Sequence, residues 1–556
     1  MKKFQIELIQ PSHYDDQGYV IQWWRSFGSS NSLACLYSLF LDASRRKVLG
    51  EDVEIQVAAH DEHSSVLPIR RIVRRLGQGR VRGLVGLVGL VGVQSNQYPR
   101  ALDIARPFRQ AGIPVVIGGF HVSAFLAMLG RISPDLQEAL DLGITLFAGE
   151  GEGHLDRLLL DAERGRMEPF YNYMSDPPEL QGRPTPRLPM RLVRRSLSSG
   201  LTMDTSRGCP FGCSFCTVIN FHGRKSRFRS AEDVEEMVRF YHLQHGRRNF
   251  FFTDDDFARN RNWEDIFDRL ISLREKERFR LKFGLQVDAA AHRIPGFIDK
   301  AARAGCNSVF IGLENINSEN LMVANKPQNR VSEYREMLEA WRSRRIVTLA
   351  GYILGFPSDT PASIERDIRT IQEELPIDIL MFFMLTPLPG SEDHRKLELE
   401  GARLEPDLNR YDSEHATMRH PKMSSNEWEA IFRKAWDLYY SPEHVKRILE
   451  RVARDRISLS RLFALILLGR CSMKYENVHP FQCGALRRRV RRQRRFGLPL
   501  ESPLRFYPRN AWEMTRTGLN WGRSAWELER MKKRLRPSVK AGRGRKPQRV
   551  RPAAAC

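Results

Sequence analysis

The sequence predicts an α/β fold: an N-terminal doubly wound parallel-sheet (Rossmann-like) domain, an open (βα)6 partial TIM barrel, and a helical C-terminal extension. Short apolar runs alternate with amphipathic helical stretches along two successive parts of the chain, and such alternation builds parallel sheets. Glycines and carboxylates follow the predicted strands, at the sheet edge where such folds bind ligands. Hydrophobic residues make up 42% of the chain, which is enough for a sizeable core.

The composition divides the 556 residues into five parts. The predicted parts are a Rossmann-like domain at 1–164, a proline-rich linker at 165–200, the barrel at 201–402, a helical extension at 403–480 and a basic tail at 481–556. The tail holds 22 Lys and Arg against 4 Asp and Glu, so it carries +18 of the net charge of +23.

Neither a membrane-spanning helix nor a signal peptide is predicted. No run of 18 apolar residues occurs, and Gln5 and Glu7 interrupt what would be the apolar core of a leader. The eight cysteines are sparse and three are clustered, a usage typical of a reducing compartment and of metal binding. We therefore predict a cytoplasmic protein.

The N-terminal part is predicted to contain five strands. The run at 83–93 is apolar with glycine at every third position, which is typical of a buried parallel strand. The predicted strands are 3–10, 53–58, 83–93, 114–118 and 144–148, with helices at 34–49 and 98–111. The linker carries six prolines and is predicted to be extended and free of regular structure.

The barrel is predicted from six strand–helix units. A strand at 201–206 leads into a cysteine-rich loop, and the rest alternate regularly. The later strands are expected at 249–253, 280–287, 308–313, 347–353 and 377–385, and the helices at 231–245, 262–274, 295–304, 332–344, 361–374 and 391–400. Two further helices, 426–439 and 442–451, begin the extension.

The tail is basic and contains aromatic residues. Residues 487–495 hold seven arginines, and Trp512, Trp521 and Trp526 follow. A solvated, partly disordered tail is one interpretation. Contact with an anionic membrane surface or with nucleic acid is the other, and the sequence leaves the two open.

The chemical centre of the sequence is Cys209-Pro-Phe-Gly-Cys213-Ser-Phe-Cys216. Three thiolates on one short loop can hold three irons of a [4Fe–4S] cube and leave the fourth open to a cofactor. The alternative is a zinc site completed by His222, but such sites usually need a second cysteine pair, and none follows.

The C-x3-C-x2-C spacing and the motifs after it resemble the radical S-adenosylmethionine (SAM) superfamily. In that family the open iron chelates SAM, and one electron releases a 5'-deoxyadenosyl radical. The resemblance implies three cluster ligands, Cys209, Cys213 and Cys216. It also implies SAM-binding positions at Phe215, Asp254, Asp255, Gly312, Glu314 and Gly355, and a substrate-facing pair, Gln286 and Asp288. The carboxylates at 254–256 could instead cap the next helix or bind a divalent metal.

The first domain resembles the cobalamin-binding domain of one subgroup, similar to hopanoid methylases. The resemblance implies cobalamin contacts at Ser95, Gly118, Gly119, His121, Gly149 and Glu150. The D-x-H-x-x-G motif that supplies a histidine to cobalt is absent, so cobalt is expected to lack a ligand from it. The alternative is a Rossmann-like domain that has lost its ligand.

The leading hypothesis is cobalamin-dependent radical C-methylation of an unactivated carbon in a small molecule, with a lipid-like molecule as one option. A one-electron reductant such as a flavodoxin or ferredoxin is implied, and the basic tail would allow a peripheral membrane position. Three alternatives remain: radical cyclisation or rearrangement without methyl transfer, RNA methylthiolation, and a non-catalytic iron–sulfur binding or sensing protein. Methylthiotransferases carry further N-terminal cysteines, whereas Cys35 is the only cysteine before Cys209.

Overall fold

The computed structural model describes residues 2–80, 85–197 and 201–542, and it confirms the predicted α/β class. Two six-stranded, all-parallel sheets follow each other along the chain. The start of the predicted strand at 83–93 and the last residues of the tail lie outside the described residues.

The first sheet has the strand order β3-β1-β4-β5-β6-β7. Its edge strand β7 lies within the proline-rich segment, so the prediction that 165–200 lacks regular structure is wrong there. Three residues are enough to pair with β6, but too few to give a periodic signal. The strands are β1 Lys2–Gln10, β2 Gln22–Ser26, β3 Val53–Asp61, β4 Val85–Leu90, β5 Val115–Gly118, β6 Thr145–Ala148 and β7 Phe170–Asn172, and the helices are α1 Asn31–Arg45, α2 Ile69–Arg80, α3 Tyr98–Gln110, α4 Phe120–Leu129, α5 Pro134–Asp141, α6 Leu155–Glu163 and α7 Met190–Val193.

The second sheet has the order β15-β14-β13-β12-β11-β8, which is the open six-stranded barrel. A two-stranded antiparallel ribbon, β9 with β10, brackets the cysteine loop. The strands are β8 Leu201–Met203, β9 Ser206–Arg207, β10 Arg227–Phe228, β11 Asn249–Phe252, β12 Lys282–Asp288, β13 Cys306–Glu314, β14 Val347–Leu354 and β15 Ile379–Met384, and the helices are α8 Val218–Phe221, α9 Ala231–His245, α10 Trp263–Glu275, α11 Phe297–Ala304, α12 Ser318–Val323, α13 Tyr334–Ser343, α14 Pro361–Glu374 and α15 Glu392–Leu399.

One hydrophobic core runs through both sheets. It continues from Phe4 and Leu39 of the first domain through the barrel strands to Trp428 and Leu528 of the extension. A second core, which includes Ile9 and Phe108, covers the other face of the first sheet. The two sheets are therefore packed together by shared apolar burial.

The C-terminal part folds back onto the rest of the chain. Strand β16 pairs antiparallel with β2 of the first domain, and helix α19 packs on α17 and α18. The elements are α16 Ser425–Tyr439, α17 Pro442–Arg454, α18 Leu459–Cys471, β16 Gly484–Arg488 and α19 Pro503–Gly542. The interpretation of the tail as partly disordered is therefore wrong for the described residues 484–488 and 503–542, which form β16 and α19.

The arginine run at 487–495 is engaged inside the protein. Arg487 and Arg489 contact Asp15, and Arg495 contacts Asp407. A search of the described helices finds none that is long and apolar enough to cross a membrane.

Candidate active site at the junction of the two sheets

The cysteine loop is held by backbone hydrogen bonds from three directions. The Cys209 N–H donates to the Gly223 carbonyl at 3.2 Å, and the Ser214 N–H donates to the Ala324 carbonyl at 3.1 Å. The Asn325 side-chain amide donates to the Gly212 carbonyl at 2.7 Å. The loop is thus anchored at its first cysteine and in its middle, and these contacts fix the backbone that carries the three cysteines.

The three thiols are half-buried and form no disulfide. Burial raises the pKa of Cys209 to about 12 and that of Cys216 to about 11, and it also raises the pKa of Cys213. Thiolates at these positions therefore need a compensating cation. Within the described residues, no three His, Cys, Asp or Glu side chains are arranged to hold a single metal ion.

The three carboxylates after β11 have three different surroundings. Asp254 is fully buried, and it accepts hydrogen bonds from the Thr205 N–H at 2.6 Å and the Ser206 hydroxyl at 3.0 Å. Burial raises the pKa of Asp254 to about 7. Asp256 caps the following 3-10 turn by accepting from the Ala258 N–H. Asp254 thus ties β11 to the segment between β8 and β9, and Asp256 caps the turn that follows it.

Asp255 lies between them and faces the junction. Its Oδ2 accepts from the Gly208 N–H at 2.6 Å, next to Cys209, and lies 2.9 Å from His222 Nδ1. His222 is therefore turned toward a carboxylate. Asp255 ties the end of β11 to the beginning of the cysteine loop.

A buried ion pair stands beside the loop at the end of β13. The ammonium of Lys326 pairs with Glu314, and Lys326 also lies 5.9 Å from the centre of the Phe215 ring. Although burial opposes the charge, Glu314 raises the pKa of Lys326 above its usual value. A Cβ on Gly312 would lie 2.7 Å from the Glu314 carboxylate and 2.8 Å from Lys326, so the pair needs glycine there. Lys326 was not predicted from the sequence, since nothing in its spacing marks it.

Gly355 belongs to a buried turn after β14. Its φ is +99°, and a Cβ would lie 2.1 Å from the Trp428 ring. The carboxylate of Asp359 accepts from the N–H groups of Gly355 and Phe356, both at 2.9 Å. The turn is thus pinned between its own carboxylate and α16.

A cavity of about 280 Å³ separates the first sheet from the barrel. Four of the six residues assigned to cobalamin line it, together with Asp255 and His222 from the barrel side: Gly118, Gly119, Gly149 and Glu150. Gly119 has a φ of +141°, and a Cβ there would lie 2.2 Å from the Val93 nitrogen. Leucines and phenylalanines of β1, β4, α1 and β6 line the inner part of the cavity.

The remaining two candidates, Ser95 and His121, contact each other away from this cavity. The Ser95 hydroxyl lies 3.1 Å from His121 Nδ1, and His121 Nε2 lies 2.6 Å from Asp135. Both residues are buried. With both ring nitrogens engaged, His121 has no free nitrogen to offer a metal.

A buried ionic network joins the first domain to the cysteine loop. The Arg207 guanidinium contacts Glu150 at 2.5 Å and Glu152 at 2.8 Å, and Arg227 also pairs with Glu150. Although burial opposes ionisation, the two arginines lower the pKa of Glu150. Arg207 and Arg227 were not singled out from the sequence. The position of Arg207, one residue before the Gly-Cys that opens the loop, was the available signal.

A second, larger cavity of about 1840 Å³ adjoins the first. It is bounded by the concave face of the barrel, by the end of β4 and by the C-terminal elements. Of the predicted substrate-facing pair, Gln286 lines this cavity, whereas Asp288 forms a bidentate pair with Arg259 at 2.8 and 2.9 Å. Its wall is mixed, with Phe310, Met381 and Phe383 among its apolar members.

The donors and spaces fit the cofactors implied by the sequence. Three uncrosslinked thiols on an anchored loop match, in number and chemistry, the donors that a site-differentiated cluster requires. The apolar inner part of the smaller cavity suits an aromatic nucleotide tail, and its glycine-lined mouth allows close approach of a large ring.

Comparison with protein-family models finds the radical SAM superfamily over residues 203–371. Among curated proteins, the chain is 25% identical over 334 residues to bacteriochlorophyllide d C-8(2)-methyltransferase of Chlorobaculum tepidum, covering 58% of this chain and 70% of that protein. It is 26% identical over 348 residues to hopanoid C-2 methylase of Rhodopseudomonas palustris, covering 61% and 62%.

Solved structures share the fold over nearly the whole chain. The radical SAM methyltransferase TsrM from Kitasatospora setae, with cobalamin and a [4Fe-4S] cluster bound, superposes with a TM-score of 0.56 at 16% identity, covering 96% of this chain and 99% of that one. The cobalamin-dependent SAM radical enzyme OxsB, with aqua-cobalamin and SAM bound, gives 0.56 at 14% identity, covering 97% and 80%.

Proposed function

Because residues 203–371 form a radical SAM domain, we propose that this chain is a cobalamin-dependent radical C-methyltransferase acting on an unactivated carbon. The observation that carries the proposal is the junction itself. There Arg207 and His222, which flank the cysteine loop, Asp255 and the glycine ends of the first sheet line one cavity, and a larger cavity for a substrate adjoins it. The methyltransferase names of the relatives support the same reaction class.

Cys209, Cys213 and Cys216 are proposed to ligate the cluster, and the half-buried loop limits access of water and oxygen to it. When bound, the cluster, SAM and cobalamin together supply one-electron bond cleavage, hydrogen abstraction and a transferable methyl group. The protein holds these groups in register and excludes competing reactants.

For SAM we propose the surface formed by Phe215, Gly312, Glu314 and Asp255. Gly312 leaves the space that the Glu314–Lys326 pair occupies, and this pair places both signs of charge beside the cysteine loop. A zwitterionic amino acid moiety matches such a surface. Asp254 is proposed to act indirectly, by fixing the turn between β8 and β9, and Gly355 by shaping the turn after β14.

For cobalamin we propose the smaller cavity, with Gly118, Gly119, Gly149 and Glu150 at its mouth. Ser95 and His121 are proposed to support the loops that line this cavity, through the contact between their side chains. The larger cavity is proposed to take a small-molecule substrate of mainly apolar character. A flavodoxin or ferredoxin as reductant, and a cytoplasmic location, complete the proposal.

The test is anaerobic reconstitution of the full chain with iron, sulfide and hydroxocobalamin. We expect stoichiometric cobalamin binding and 5'-deoxyadenosine on reduction with SAM. A C209A/C213A/C216A variant should lose 5'-deoxyadenosine and keep cobalamin, whereas C306A, at a buried thiol of β13, should keep both.

The two readouts separate the alternatives. 5'-Deoxyadenosine without cobalamin binding would favour radical cyclisation or rearrangement, in which the product gains no CH2. A cluster that forms without yielding 5'-deoxyadenosine would favour an iron–sulfur binding or sensing protein and reject the enzyme.

A further inference from the structure

Helix α19 carries an exposed apolar stripe on the face that points away from the protein. Leu504 is 90% exposed, Trp512 67%, Leu519 70% and Trp526 59%. At 100° per residue these four side chains fall within an arc of about 80°. Large apolar side chains that share one exposed face of a helix usually contact a partner.

The opposite face of α19 is the one that holds the helix in place. Phe506, Ser524 and Leu528 are buried against the protein. Met514, Thr517 and Trp521, near the same face, line the larger cavity. The stripe is therefore not the face through which α19 packs on the protein, because the opposite face does that.

Four arginines follow one flank of the stripe: Arg505, Arg516, Arg523 and Arg530, all exposed. Arg523 contacts Glu527 at 3.3 Å, and Arg530 lies 4.5 Å from the centre of the Trp526 ring. An apolar row containing tryptophan and edged by arginine is the pattern of helices that lie in the interface of an anionic bilayer.

We propose that α19 docks the protein on the surface of an anionic phospholipid membrane, with Trp512, Leu519 and Trp526 inserted at the level of the headgroups. The exposed arginines along the flank of the stripe are complementary to such a surface. The helix lies on the membrane and does not cross it, in keeping with the absence of a spanning helix among the described residues. The larger cavity then opens one helix thickness from the lipid.

Nucleic acid fits the same surface less well. In the densest basic run, at 487–495, three of the seven arginines pair with carboxylates of the protein: Arg487 with Asp15, Arg489 with Asp15 and Glu513, and Arg495 with Asp407. The exposed aromatic residues lie in one straight row with leucines, whereas base stacking needs aromatic rings along a groove that follows the phosphates.

Flotation of the full-length protein with vesicles tests the proposal, and it needs neither cofactor loading nor activity. We expect binding to phosphatidylcholine vesicles that contain phosphatidylglycerol, weaker binding to phosphatidylcholine alone, and a loss with rising salt. The W512S/L519S/W526S variant should bind these vesicles at least about tenfold more weakly than the wild type. The control L243S/M322S changes exposed apolar residues of α9 and α12, and it should bind like the wild type.

Two further measurements keep the test decisive. Brominated phospholipids should quench tryptophan fluorescence of the wild-type protein, a readout that does not depend on the folding of a variant. R505E/R516E should lose the preference for anionic vesicles. The proposal would be overturned if the wild type did not float with the vesicles, or if the triple variant floated equally well with an unchanged circular dichroism spectrum. It would also be overturned if the protein bound RNA or DNA in a gel shift and did not bind vesicles.

Discussion

Gly355 shows how a single residue fixes the rim of the candidate site. Two features there exclude a side chain, the left-handed φ of +99° and the Trp428 ring 2.1 Å from where a Cβ would lie. The first makes an L-residue unfavourable at this turn, and the second makes it clash. The extension thus reaches into the barrel rim at this glycine.

We expect G355A to destabilise the protein more than an alanine at another left-handed glycine. Gly401 has a φ of +68° and nothing within 4 Å of its Cβ position, so G401A should cost only the backbone term of about 1–2 kcal/mol. G355A should cost a further 1–3 kcal/mol or so from overpacking. Urea denaturation monitored by fluorescence gives both values, and equal losses would show that Trp428 yields without cost.

The residue positions around the site were predictable where a chemical motif marks them. The three cysteines follow from spacing, and the carboxylates and glycines follow from their places after strands. Which of Asp254, Asp255 and Asp256 faces the junction was not predictable. The three carboxylates differ in their hydrogen-bond partners, which are Thr205, Gly208 and Asp288. Strands β8, β9 and β12 bring these partners close.

At the scale of elements, the connection between the first sheet and the β9–β10 ribbon is the central feature. The loop after β6 sends Glu150 and Glu152 across the junction, and Arg207 and Arg227 of the ribbon receive them. All four side chains are at most 9% exposed. This ribbon brackets the cysteine loop. The ion pairs therefore hold the loop in a fixed position relative to the first domain.

Replacing Arg207 by methionine should lower the free energy of unfolding by about 3–5 kcal/mol, since it leaves buried carboxylates without their partner. R269M removes the exposed pairs of Arg269 with Glu232 and Glu235 and should cost little by comparison. Chemical denaturation of the two variants makes the comparison.

The same network supplies a rescue. E152Q in the R207M background should recover part of the loss, because the Glu152 charge that lost Arg207 is gone, whereas Glu150 keeps its pair with Arg227. No recovery would mean that Arg207 acts through packing or through Asp204 alone, which it also contacts at 2.9 Å.

Elements were predicted from the sequence to the extent that they are periodic. The barrel strands and helices lie within a few residues of their predicted bounds, and helices Ala231–His245 and Pro361–Glu374 match them to the residue. Helices α2, α18 and the 40-residue α19 were not predicted. Among the missed strands, β7 has three residues, and β16 has five with two arginines. Neither shows apolar alternation, so only the pairing partner reveals them as strands.

At the scale of the whole molecule, a strand of the first domain pairs with a strand of the C-terminal part. Strand β2 near the N-terminus has β16 as its ladder partner, and a Cβ on Gly484 of β16 would lie 2.4 Å from the Arg25 carbonyl oxygen. Trp23 of β2 is fully buried, and its indole donates to the Gln482 carbonyl at 2.9 Å. Contacts between residues more than 450 positions apart thus cover the open side of the site.

Removal of residues 484–556 should therefore affect both halves of the protein. We expect the shortened chain to lose stability and to expose Trp23, because β2 would lose its ladder partner and α17 and α18 would lose α19. Limited proteolysis should then cut first in residues 11–30, and the denaturation midpoint should fall. An unchanged midpoint, with no new cleavage near β2, would mean that the C-terminal elements are an appendage. Because those elements also line the larger cavity, the same truncation should open that cavity to solvent, which a fluorescent apolar probe would report as weakened binding.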